Sequence, residues 1–84
     1  MTLNNLLPGQ KAVITGINKG EGAYRRLLAM GVTPGSSITM LARHPFRGPL
    51  TIEIGHSRIA LGREIASAVE VSLETASIDI ERDL

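Results

Sequence analysis

A small, mainly β barrel of five or six short strands is the fold the sequence predicts, with a short helix inserted near residues 23–30 and a helical turn near 63–68. Three observations carry it. Most of the chain alternates apolar and polar residues at the two-residue period of a half-buried strand, most cleanly where Leu50, Ile52 and Ile54 interleave with Thr51 and Glu53. One stretch departs from that period: Tyr24, Leu27, Leu28 and Val32 recur at helical spacing, with Arg25 and Arg26 on the opposite side. With 84 residues and no cysteine, the chain has neither bulk nor staples, and closing a sheet on itself removes exposed edges without a large core.

The elements follow in order. Leu3, Leu6 and Leu7 precede the Pro8-Gly9 turn and read as an apolar lead-in that packs on the body. Lys11 to Ile17 is the first strand, with Ala12 and Ile14 on one face and Val13 on the other. The polar loop from Asn18 to Gly22 follows, with Gly22 as a modest N-cap for the helix. Gly31 is a natural left-handed stop for that helix, and Pro34 prevents its resumption. Ser37 to Arg43 is the second strand, placing Ile38, Met40 and Ala42 on one face. Two prolines and a glycine make His44 to Pro49 a loop before the Leu50 strand. Gly55-His56-Ser57 turns into a short strand over Arg58–Leu61. Val69, Val71 and Leu73, alternating with Glu70, Ser72 and Glu74, form the last clear strand. The predicted core draws on Ile14, Leu27, Leu28, Ile38, Met40, Ile52, Ile54, Ile59, Leu61, Val69 and Val71. One domain spans residues 1–74, and residues 75–84 form an acidic tail or, through Ile78 and Ile80, an edge strand.

Charge is unevenly spread. Through Arg63 the chain holds eight Lys or Arg against two acidic residues, and from Glu64 it holds six acidic residues against one arginine. A basic body with an acidic end suits an anionic partner for the body, or a tail that folds back on it. No segment approaches the roughly 20 apolar residues that span a bilayer. Met1 to Pro8 has no basic start and no long apolar run, so the expectation is a cytoplasmic chain without a signal peptide or direct membrane insertion.

The residue types do not assemble a catalytic site. There is no cysteine nucleophile, and neither histidine has a Ser or Asp partner at motif spacing. The Gly16 to Gly22 segment lacks both Gly-Lys-Ser/Thr and the three-glycine dinucleotide fingerprint. At ~3.3 Å of rise per strand residue, His44 and His56 stand on the order of 25 Å apart and cannot share one metal within a chain. A divalent metal bridging two copies of the chain is the form that a His44 or His56 site would take, and a homo-oligomer is compatible with it. Single-stranded nucleic acid is disfavoured, because the arginines are accompanied by only two aromatic residues, Tyr24 and Phe46. A protein partner fits better: Arg25 and Arg26 on the helix, with Arg43, Phe46 and Arg47 in or beside the Pro/Gly loop, offer carboxylate-pairing groups around an aromatic anchor. Phe46 has an equally physical alternative, folding over an open barrel end to fill it.

The helix and its stop, Tyr24-Arg25-Arg26-Leu27-Leu28-Ala29-Met30-Gly31-Val32-Thr33-Pro34-Gly35, carry a resemblance to the FeoA family of bacterial ferrous iron uptake. Ala12 to Ile17, the Pro45 to Pro49 loop, Ile52-Glu53, Ile59-Ala60-Leu61 and Val69-Glu70-Val71 extend it over most of the chain. The chain departs from the family pattern where Gly48 meets Pro49 without an intervening acidic residue, and where Gly62 separates Leu61 from Arg63. The resemblance implies an SH3-like barrel and a partner, the membrane-embedded FeoB, whose cytoplasmic G-domain hydrolyses GTP. It implies a non-enzymatic cytoplasmic accessory that binds and modulates that transporter. The alternatives are a regulator acting on GTP hydrolysis through Arg25, Arg26 or Arg47, and a metal-responsive dimerising module using His44 or His56.

Overall fold

Strand by strand, the two-residue alternation sorts the chain into a buried face and an exposed one. The structure, a computed structural model, describes residues 1–18 and 20–74. Its strands are β1 (Lys11–Ile17), β2 (Ser37–Arg43), β3 (Leu50–Ile54), β4 (Ser57–Leu61) and β5 (Val69–Leu73). All neighbours pair antiparallel in one sheet of order β4-β3-β2-β1-β5, so β4 and β5 are its edges. Among the described residues the fold is therefore mainly β as expected, with five strands. The expected edge strand through Ile78 and Ile80 lies outside the described residues. The β5 edge is covered by the chain's start, through a Thr2–Glu70 bridge and a 2.9 Å bond from the Val71 amide to the Met1 carbonyl.

One helix, α1 (Glu21–Ala29), joins β1 to β2, and a single turn, α2 (Arg63–Ala66), joins β4 to β5. The α1 N-cap is Gly20 rather than Gly22, with the Tyr24 amide already bonded to the Gly20 carbonyl at 3.1 Å. The glycine stop is as read. Gly31 takes φ +87°, its amide donates to Leu28 and the Val32 amide donates to Leu27, the paired bonds of a Schellman cap. That cap also brings Val32 against Leu27, and both are fully buried.

The core holds Leu3, Leu6, Ile14, Leu27, Val32, Ile38, Met40, Leu50, Ile52 and Val69, each closed to solvent or nearly so. Burying one such aliphatic side chain stabilises the fold by about 1.5–3 kcal/mol. Two members of the apolar stripe expected on α1, one of them in the predicted core, are not buried. Tyr24 and Leu28 are exposed at 41% and 36%, because a helix this short rests on the sheet along the line of Leu27 alone. Ile59 is half-buried at the sheet's edge. In the other direction, the lead-in contributes Leu3 and Leu6 as full core members, while Leu7 stays exposed.

The phase of β2 is the consequential correction. Ala42 was expected to share the Ile38–Met40 face, but the pairing with β3 shifts register between Met40 and Ala42. Past this irregularity Ala42 lies opposite Thr51, and Arg43 lies opposite the buried Leu50. One extra residue flips the side chains that follow to the other face. Arg43 is thereby turned towards the lead-in, where its Nη1 donates to the carbonyls of Asn4 at 2.5 Å and Leu6 at 2.7 Å. Thr2 caps the 3-10 turn over Leu3–Asn5 in a reciprocal box with the Asn5 side chain. The lead-in is thus fixed by a cap at its start and a guanidinium along its carbonyls.

Arg43→Ala removes both charge-assisted bonds and leaves two part-buried carbonyls without that donor. The expected loss is about 2–3 kcal/mol, read as a lower urea midpoint at unchanged slope. An unchanged midpoint would mean that Leu3 and Leu6 hold the lead-in unaided.

Candidate docking site

The connection from β2 to β3 has six residues, His44 to Pro49, and two of them are prolines with no amide hydrogen. Such a loop has more carbonyls than donors. Its own bonds are two: the His44 amide to the Pro49 carbonyl at 3.2 Å, and the Gly48 amide to the Pro45 carbonyl at 3.1 Å. The second closes a tight turn whose central residues, Phe46 and Arg47, both take left-handed backbone, φ +58° and +61°. Positive φ at both centres is the backbone of an I′-type turn, where Asn and Gly are favoured. A bulky L-residue there costs about 1–2 kcal/mol. Gly48 is favoured by close approach, since a Cβ would stand 3.0 Å from His44 Cβ and 3.1 Å from the Pro45 oxygen and would press the turn apart by a few tenths of an ångström.

The missing donors come from Arg63, the first residue of α2. Its Nε donates to the Gly48 carbonyl at 2.8 Å, and its Nη2 donates to the His44 carbonyl at 3.0 Å. The Asn4 side-chain Nδ2 in turn donates to the Arg63 carbonyl at 3.1 Å, tying the lead-in to the same clamp. The outcome is geometric. The loop is held from both ends, and Phe46 stands at its tip with 98% of its surface exposed. Of the two readings open for Phe46, filling the barrel end or projecting from it, it projects.

The other sequence candidates separate. Arg47 is exposed beside Phe46 and lines a crevice with Asn4, Arg63, Glu64 and Ser67. Arg26, in the last turn of α1, lines a second crevice with Gly22, Ala23, Glu64 and Ile65. Glu64 belongs to both, so the two crevices adjoin. Arg25 is exposed on α1. Arg43 is not part of this rim, because the shifted register turns its guanidinium inward onto Asn4 and Leu6. His44 and His56 are exposed at opposite ends of β3, one before its first residue and one in the turn after its last. Among the described residues no group of three or more His, Asp or Glu side chains could hold a metal.

Arg63 and Asn4 were not singled out from sequence, although they position the tip. A signal existed for Arg63: a loop with two prolines leaves carbonyls in excess, and a nearby multi-donor cation is the ready solution. For Asn4 there was none.

A family model described as the FeoA domain matches residues 1–73. The chain is 38% identical over 74 residues to the Fe(2+) transport protein A/Fe(2+) transporter FeoB fusion protein of Porphyromonas gingivalis. That match covers 87% of this chain and 9% of the fusion protein. Among solved structures, a crystal structure of an iron uptake regulatory protein (FeoA) superimposes with a TM-score of 0.81 at 37% identity, covering 88% of this chain and all of that one. The zinc complex of Stenotrophomonas maltophilia FeoA, described as an SH3 domain protein, superimposes with a TM-score of 0.75 at 30% identity, covering 86% and 89%. The five-stranded sheet is accordingly of the SH3-like kind. Among the described residues no helix is long and apolar enough to cross a membrane.

Because Phe46 buries almost nothing and sits in left-handed backbone, Phe46→Gly should stabilise the fold by about 1 kcal/mol. For a domain of this size the Tm should rise by about 4–8 °C. A fall in Tm would show that the phenyl ring makes a contact that holds the loop.

Proposed function

This chain belongs to the FeoA family, and from that premise we propose that it is a non-enzymatic cytoplasmic accessory of ferrous iron uptake, docking on a FeoB-type transporter and modulating it. The observation that carries the reading is the Porphyromonas gingivalis protein, in which an Fe(2+) transport protein A and a FeoB transporter are one polypeptide. Fusion makes the encounter of two modules intramolecular, at effective concentrations up to the millimolar range. Such an arrangement favours a contact between them that is weak when they are separate.

The surface chemistry agrees with docking. The two crevices are shallow and share one carboxylate, Glu64, so they offer no converging acid, base and nucleophile. The arginines near them suit pairing with carboxylates on another protein. SH3-like barrels that take proline-rich peptides use aromatic-lined grooves. With Tyr24 and Phe46 as its only aromatic residues, this chain has a contact face of arginine and one projecting ring instead.

The test is binding of the full chain to the purified transporter, with and without guanine nucleotide, at low and high salt. Binding that weakens with salt, and further with Arg26→Ala, is expected, since exposed charge pairs are screened. Absence of binding at either salt, with and without nucleotide, would contradict the reading.

A further inference from the structure

We propose that Phe46 is the anchor of the docking face, entering an apolar pocket with a carboxylate rim on the FeoB-type transporter, and that Arg63 is the positioning residue that holds it out. The proposal rests on the docking reading above and specifies its surface.

Three observations converge on the tip. A phenyl ring exposed at 98% in a chain with two aromatic residues is the most water-facing apolar group of its size here. It is carried on a backbone that disfavours it, with φ +58° at Phe46 and +61° at Arg47, where Asn and Gly would sit more easily. And the conformation is enforced from outside the loop by the Arg63 bonds to the Gly48 and His44 carbonyls, at 2.8 and 3.0 Å. A projecting aromatic residue in strained, clamped backbone follows the pattern of strain kept at recognition sites. Its ring has two side-chain torsions and a fixed base, so little freedom is lost when it is captured.

The surroundings specify the partner. Arg47 flanks the ring, and Arg26 lies across the adjoining crevice, with Glu64 between the two. A matching surface places an apolar pocket opposite Phe46 and carboxylates on either side of Glu64. Rigidity decides between a protein and a lipid surface. A pocket of fixed shape rewards a ring held in one position, whereas a fluid bilayer does not. One ring with two arginines is also a weak membrane anchor, given that even a whole myristoyl chain binds only marginally.

The experiment uses the full chain and the purified transporter in nanodiscs of defined lipid. Phe46→Ala should weaken binding by about 30-fold or more, as for a hot-spot aromatic. Phe46→Gly should lose as much while raising the Tm, a combination that a purely structural residue would not give. Arg63→Ala should also weaken binding, and the Phe46→Ala/Arg63→Ala double variant should lose no more than Phe46→Ala alone, showing that Arg63 acts through the tip. Phe46→Ala binding as tightly as the parent would overturn the anchor and leave the docking reading standing. Failure of the parent chain to bind would overturn that reading and the anchor with it. Binding of the parent, but not of Phe46→Ala, to transporter-free phosphatidylcholine/phosphatidylserine vesicles would assign the tip to the membrane and overturn the pocket.

Discussion

Main-chain carbonyls without amide partners are the constraint around which this small fold is organised. Half-buried carbonyls need a donor, and in two irregular segments, the lead-in and the His44–Pro49 loop, arginine supplies it. Arg43 donates to the carbonyls of Asn4 and Leu6, and Arg63 donates to those of His44 and Gly48. The Asn4 side-chain Nδ2 donates to the Arg63 carbonyl, so the two clamps meet at one residue. With no disulfide available, guanidinium groups hold the irregular segments against the sheet. Two of the arginines that make the body basic are therefore internal fastenings, and the outward-facing charge is smaller than the formal count.

That division has a consequence for function. A rigid tip needs its strain balanced elsewhere, and Arg63 supplies fixed bonds at both ends of the loop while Phe46 and Arg47 hold left-handed backbone. The loop joins adjacent strands β2 and β3 and leans on α2, so it inherits the sheet's order. On the proposed docking reading, the contact surface is thus built on the paired core of the protein, and the Phe46 ring is positioned before a partner arrives.

Much of the fold was legible because its signals are local. Alternation marks Lys11–Ile17, Ser37–Arg43 and Leu50–Ile54 at the bounds the structure has. Gly31 ends the helix as a left-handed cap must. What escaped depends on register and contact. The irregularity between Met40 and Ala42 leaves no mark in the alternation, yet it decides that Arg43 faces inward and Ala42 does not. Leu28 has the spacing of a core residue, but α1 is too short and too peripheral to bury it. The proposed docking residues were half legible: Phe46 and Arg47 stood out by type and loop, while the clamp from Arg63, fifteen residues on from Gly48 in sequence, follows only from the folded chain.

The most direct measurement of this architecture is backbone ¹⁵N relaxation at His44, Phe46, Arg47 and Gly48, the amides of the loop, in the parent chain and in Arg63→Ala. A clamped tip predicts order parameters near about 0.85, as in the strands, falling below about 0.6 when the guanidinium is removed. A tip as mobile in the parent as in Arg63→Ala would contradict it, because Phe46 would then be a floppy surface residue and not a positioned one.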